Sequence, residues 1–307
     1  MLIYLLILFL LALFFGGAYY AYRVAFYASS KNREQIPSMK SKVYDPYRVE
    51  MRRLFHQLQE RDCEYVSIES YDGLILSGRY YHVADGAPLD IGFHGYRSSP
   101  LTDFSGGSEL SFRMGHNLLL VDQRAHGKSQ GRTITFGIKE RKDLLQWVRY
   151  AVDRFGENVQ ILLYGISMGG ATVLMASELD LPGNVKGIIA DCPYSSPMDI
   201  ILHAGNEMPI PNWMIRPFVK MGAWIYGGFL IEEADAARAV KKAKVPILIL
   251  HGESDSFVPQ EMSDVVSANP EHITRYTFPN ANHGLSFLED MPRYHAIVAD
   301  FVNRIME

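Results

Sequence analysis

The stretch Leu162–Ala171, LLYGISMGGA, ends a run of apolar residues and then sets three glycines around one serine. Gly165, Ser167 and Gly169 give the spacing G-x-S-x-G. The preceding VQILLYG has the length and apolar content of a buried strand, and the following MGGATVLMASEL those of a helix. A serine at a sharp strand-to-helix turn takes a strained backbone conformation, and side chains two residues to either side would collide, so glycines flank it. The expectation is that Ser167 is a nucleophile held out at the end of a strand. Without that context the pattern is common and marks only a glycine-rich turn.

Similar apolar runs recur on both sides. LDIGFHG, HNLLLVDQ, VKGIIADC and VPILILHG are short and nearly continuous, the pattern of strands covered on both faces of a parallel sheet. Before them, EYVSIES and LILSGRYYH alternate around Tyr71–Gly73 and predict an antiparallel hairpin. Leu144, Leu145, Val148, Ala151, Val152 and Phe155 recur at helical spacing, as do Tyr294, Ile297, Val298, Phe301, Val302 and Ile305. Strand and helix in succession predict an α/β fold with an open, mostly parallel sheet flanked by helices. Residues 196–239 break the alternation; rich in methionine and aromatics and interrupted by Pro209, Pro211 and Pro217, they read as a helical lid insertion.

A serine hydroxyl needs a base to take its proton, and the base needs an acid to orient it. Asp255, in the loop after VPILILHG, is the candidate acid, with Glu253 as the alternative. His283, in ANHGLSF before the last helix, is the candidate base, and the chain order is Ser167, Asp255, His283. His251 sits at a strand end and His94 and His126 in earlier loops, so His283 is the best placed of the ten histidines. A developing oxyanion needs two donors, and the backbone amides of Met168 and Tyr96 are the candidates. This chemistry requires no metal and no organic cofactor.

The N-terminus begins MLIYLLILFLLALFFGGAYYAY, 22 residues without a charged side chain. A helix of that length reaches ~33 Å, enough to cross a bilayer core. A cleaved signal peptide and a buried core helix are the other readings, and the first would carry a basic segment before the apolar run. Arg23, Lys31, Arg33, Lys40 and Lys42 follow the run, which favours a cytoplasmic domain, and Tyr19, Tyr20 and Tyr22 suit the interface. The expected organisation is a transmembrane anchor over 1–23, a tether and docking helix over 24–60, and a catalytic domain over 61–307. A net charge of −4 with both signs interspersed gives no footprint for nucleic acid. Cys63 and Cys192 are far apart and suggest neither a disulfide framework nor a zinc site.

With FHGYRSS, DQRAHGKSQG, YGISMGG, HGESDSFVP and NANHG in this order, the chain resembles the α/β-hydrolase superfamily from about Tyr65 to Glu307. More narrowly it is similar to bacterial membrane-anchored serine aminopeptidase-like hydrolases and to the group that includes protein depalmitoylases. The resemblance implies Ser167 as nucleophile, Asp255 as acid, His283 as base, and Tyr96 with Met168 as oxyanion donors. It also implies that Asp122 and Arg124 brace turns near the site. The expected activity is cleavage of an acyl ester or thioester, the substrate being a small-molecule or lipid-derived acyl compound. An aminopeptidase is the alternative, and would need an acidic group for the substrate's amine, for which Glu207, Glu232, Glu233 and Asp235 are candidates. A non-catalytic binding module on the same fold is the third reading.

Overall fold

In the computed structural model, which describes residues 1–29, 42–207, 209–268 and 271–306, the apolar runs form one eight-stranded sheet. Its strands are β1 (Glu64–Glu69), β2 (Ile75–Tyr81), β3 (Leu89–Phe93), β4 (Asn117–Asp122), β5 (Ile161–Ile166), β6 (Val185–Asp191), β7 (Ile247–Gly252) and β8 (Ile273–Phe278). They lie in the order β1-β2-β4-β3-β5-β6-β7-β8. Only β2 runs against the others, and it joins β1 across a turn whose Gly73 has φ 84°. β3, β4 and β7 are buried at every residue, which is why their sequences are apolar without alternation.

Helices cover both faces. α1 (Leu2–Ala21) precedes the domain, and α2 (Arg48–Gln59) packs against it through Leu54, Phe55 and Leu58. The short α3 (Pro100–Asp103) and α4 (Gly107–Arg113) follow β3, α5 (Glu140–Phe155) follows β4, and α6 (Met168–Ala176) follows β5. Between β6 and β7 lies the helical insertion: α7 (Pro197–Ala204), α8 (Asn212–Met221) with a further turn at Gly222–Tyr226, and α9 (Ala236–Ala239). α10 (Gln260–Ser267), α11 (Ser286–Glu289) and α12 (Met291–Met306) complete the chain. Register pairs Phe93 with Gly165 and Ile166 with Asp191, so the carboxyl ends of β3, β5 and β6 share one edge. Loops leaving that edge can meet.

The turn between β4 and α5 is braced as expected. The Arg124 guanidinium, 3% exposed, bridges Asp143 at 2.6 Å and Asp72 at 3.0 Å. Asp122 accepts the Lys128 amide at 3.0 Å, and Gly127 leaves room for that carboxylate.

α1 is one N-terminal helix long and apolar enough to cross a membrane, and nearly all of it is exposed. Its continuation is integral to the domain. Phe26 is fully buried between Phe136 and Phe229, with ring centroids 5.8 and 5.2 Å away. The backbone at Phe26 and Ala28 pairs with Ile134 and Arg132, and Tyr22 Oη lies 3.0 Å from Thr133 Oγ1. Of the expected tether, Lys31, Arg33, Pro37 and Lys40 lie outside the described residues. Burying a phenylalanine this completely makes its truncation costly. Phe26→Ala is expected to lower unfolding stability of the full chain by about 3–5 kcal/mol, read by denaturant melts in detergent; a loss below ~1 kcal/mol would contradict the packing.

Candidate active site

Ser167 sits between β5 and α6 with φ 56° and ψ −115°, in the sparsely populated region that a sharp turn demands. The glycines are there for clearance. A Cβ on Gly165 would lie 2.1 Å from the Gly169 carbonyl oxygen, and one on Gly169 would lie 1.8 Å from that of Phe93. The Ser167 amide donates to the Asp191 carbonyl at 2.8 Å and ties the turn to β6.

The loops after β7 and β8 bring the other two expected residues to this serine. His283 Nε2 is 3.0 Å from Ser167 Oγ, and His283 Nδ1 is 2.7 Å from Asp255 Oδ2. With Nδ1–H donating to the carboxylate, Nε2 is left as acceptor for the serine hydroxyl. Asp255 Oδ1 accepts the amides of Phe257 and Val258 at 2.9 and 2.8 Å. Burial by itself would raise the Asp255 pKa. Hydrogen bonds from His251 and His283, with the charge of His283, outweigh burial and hold this carboxyl well below the ordinary range. Asn282 Oδ1 accepts the amides of His283 and Ser256, locking the two loops together. Glu253 is turned away and accepts the Thr277 hydroxyl at 2.6 Å.

Tyr96 follows β3 in a loop that is pinned almost atom by atom. Asp103 accepts the Gly95 amide and the Ser98 hydroxyl, each at 2.6 Å, and the Arg97 amide donates to His126 Nε2 at 3.0 Å. Burial drives the His94 pKa down to about 4, so its neutral ring accepts the Gln123 amide at 3.1 Å. Among the described residues no hydrogen bond engages the Tyr96 or Met168 amide, and both flank the Ser167 turn. The Tyr96 hydroxyl donates to the Ala25 carbonyl at 2.7 Å, and Arg97 donates to the carbonyls of Val24 and Tyr27. The loop therefore grips the end of the N-terminal helix.

A cavity of about 310 Å³ opens beside Ser167. Among the described residues none from the insertion lines it. Its roof comes instead from Tyr44, Met51 and Leu54, in the turn at Lys42–Tyr47 and in α2, while Phe257, Phe287 and Leu288 form apolar wall. The insertion spends its apolar side chains elsewhere, against Phe26 and α1. Tyr47 donates to Glu289 and fastens the roof to α11. Burial, helped by Cys192, Asp103 and Asp255, pushes the Tyr44 hydroxyl up to about 12, leaving it a neutral donor.

Two carboxylates lining this cavity carried no motif. Asp103 is consumed by the Tyr96 loop. Asp191, 4% exposed, accepts the Tyr294 hydroxyl on Oδ2 at 2.9 Å, while Oδ1 has no hydrogen-bond partner among the described residues. Its only sequence signal is its place at the carboxyl end of an apolar strand. The acids considered for an amine are committed elsewhere: Glu232 pairs with Arg216 and Lys220, Glu233 with Arg141 and Lys142, and Asp235 caps α9. The Glu207 side chain lies outside the described residues. Among those residues, Cys192, Asp255 and His283 are the one grouping of possible metal donors, with ligand atoms within 4.8 Å of one another. Burial holds the Cys192 thiol well above its ordinary pKa, while Asp255 and His283 are engaged with each other and His283 with Ser167.

Comparison with known proteins agrees with this architecture. A family model described as the alpha/beta hydrolase fold matches residues 92–220. YqkD of Bacillus subtilis is 24% identical over 82% of this chain and 83% of its own, and the thiohydrolase aneE of Aspergillus aculeatus is 25% identical over 79% and 67%. The esterase Pf2001 of Pyrococcus furiosus superposes with a TM-score of 0.64 at 22% identity, over 82% of this chain and 96% of its own. The chain thus resembles α/β hydrolases across its domain.

Burial raises the Asp191 pKa from 3.8 to about 6, against the opposing hydrogen bond from Tyr294. The folded chain holds this proton to higher pH than the unfolded chain, so Asp191 makes stability fall as pH rises from about 4 to about 6. Asp191→Asn is expected to flatten part of that slope in melts across the interval; an unchanged slope would contradict the assignment.

Proposed function

We propose that this chain, which has the α/β-hydrolase fold, is a membrane-anchored serine hydrolase that cleaves acyl esters or thioesters through an acyl-enzyme on Ser167. The observation that carries the reading is the unbroken relay from Ser167 Oγ through His283 to Asp255. His283 Nε2 takes the hydroxyl proton as Oγ attacks the acyl carbon, and Asp255 stabilises the imidazolium. The carbonyl oxygen, now an oxyanion, receives the Tyr96 and Met168 amides, which are uncommitted among the described residues. His283 then gives its proton to the departing alcohol or thiol, and the same steps with water release the acid. The thiohydrolase and esterase named among the similar proteins support this bond class.

Anchoring is supported by the way α1 continues into the core. Removing the N-terminal segment as a signal peptide would take Tyr22 and Phe26 out of a packed aromatic group, leaving a cavity behind. The peptidase reading retains one observation, Asp191 Oδ1 in the substrate cavity, which has no hydrogen-bond partner among the described residues and is the group that would hold an ammonium.

The test is a panel of acyl esters, acyl thioesters and aminoacyl anilides. The esters and thioesters are expected to turn over fastest, and Ser167→Ala to lose at least about 10⁴-fold in kcat with its melting temperature retained. Near-wild-type turnover by Ser167→Ala would sink the mechanism, and anilides outpacing esters with a free amine required would move the assignment to the peptidase.

A further inference from the structure

The insertion between β6 and β7 leaves a set of large apolar side chains uncovered. Trp213 is 74% exposed, Leu230 59%, Trp224 58%, Ile210 46%, Met214 44% and Ile225 41%. These residues do not lie at random over the surface. α8 packs directly on α1: the Phe218 ring lies tilted against Phe14 with ring centroids 5.3 Å apart, and Tyr226 lies against Tyr22 at 6.0 Å. Small residues let the backbones close up. A Cβ on Gly17 would lie 2.8 Å from the Phe218 ring, and one on Gly222 would lie 2.6 Å from the Ala18 carbonyl oxygen. The same interval in sequence separates Phe14 from Phe218, Ala18 from Gly222 and Tyr22 from Tyr226, so the two helices run side by side in one direction. The start of α8, where Ile210, Trp213 and Met214 project, therefore falls beside the middle of α1.

We propose that this face of the insertion is a lipid-contact surface meeting the same bilayer that α1 crosses, with the start of α8 set against the apolar layer and Trp224, level with Tyr20, nearer the interface. The inference rests on reading α1 as a membrane span, and it adds a second element that the sequence did not mark as membrane-active. Three features favour lipid over a protein partner. The patch is continuous with the exposed side of α1, so a span for α1 brings lipid to it. Two of the three tryptophans of the chain lie on it, and Trp224 falls level with Tyr20, where indole rings favour the membrane interface. Arg216 and Lys220, the basic residues of α8, both pair with Glu232, at 3.0 and 2.7 Å, and their long stems can carry that charge out to the headgroups. The consequence is a domain seated on the membrane through the insertion.

The tryptophan distribution supplies the test. Trp147 is 1% exposed in the core, so Trp213 and Trp224 are the only accessible indoles. The full chain is reconstituted in phosphatidylcholine vesicles with or without brominated acyl chains, and emission is compared with that of Trp213→Phe/Trp224→Phe. The wild-type chain is expected to lose about half its emission in brominated vesicles, and the double variant little. Co-flotation of the wild-type chain with vesicles but quenching no greater than that of the double variant would leave the α1 reading standing and overturn this one. Failure to float would overturn both. Indoles shielded because a second copy covers the patch, shown by cross-linking of the chains, would also overturn it. Ester hydrolysis is read separately in the same vesicles, so the catalytic proposal stands or falls on its own.

Discussion

The α-carbon of Gly169 rests against the carbonyl oxygen of Phe93, and almost everything at the site follows from that approach. No side chain fits there, since even a methyl group would lie 1.8 Å from the oxygen. Because the backbone can close to this distance, β5 turns abruptly into α6 and leaves Ser167 at φ 56° with its hydroxyl outward. The turn then stands level with the ends of β3 and β6, where Tyr96 and Asp191 begin their loops. A strained residue persists only where its surroundings over-determine it. Here they do so through the Ser167 amide, bonded to Asp191, and through α6, which is buried at every residue.

Charge is organised around the same edge. Asp255 is kept ionised by histidines and amides, whereas Asp191, a short distance along the sheet edge, is pushed towards the neutral form by burial. Two carboxyls of one type thus have their pKa values moved in opposite directions because their hydrogen-bond partners differ. His94 is held neutral as well and serves as scaffolding for the Tyr96 loop. The same loop holds the end of the N-terminal helix through Tyr96 and Arg97, so that helix and the proposed oxyanion donors are mechanically joined.

Much of this was legible in the chain. Strands buried on both faces must be apolar throughout, and that constraint exposed β3, β4, β5, β6 and β7 as runs. The order Ser167, Asp255, His283 was legible because each residue follows one of those runs or its neighbour. What escaped has a physical reason too. Tyr44, Met51 and Leu54 roof the cavity from a mixed polar segment, where a few apolar residues give no clean period. Asp103 and Asp191 matter because burial changes their chemistry, and burial of a single acid has no local signature. The insertion read as a lid because it is apolar and irregular, but those side chains face α1 and the surroundings.

The central claim is that Ser167 is the activated nucleophile. Treating the folded full chain with a fluorophosphonate and mapping the adduct by mass spectrometry tests it directly. The account predicts a single covalent adduct on Ser167, formed at a rate that collapses in His283→Ala. A folded chain that hydrolyses acyl esters yet carries no adduct at Ser167 would contradict it.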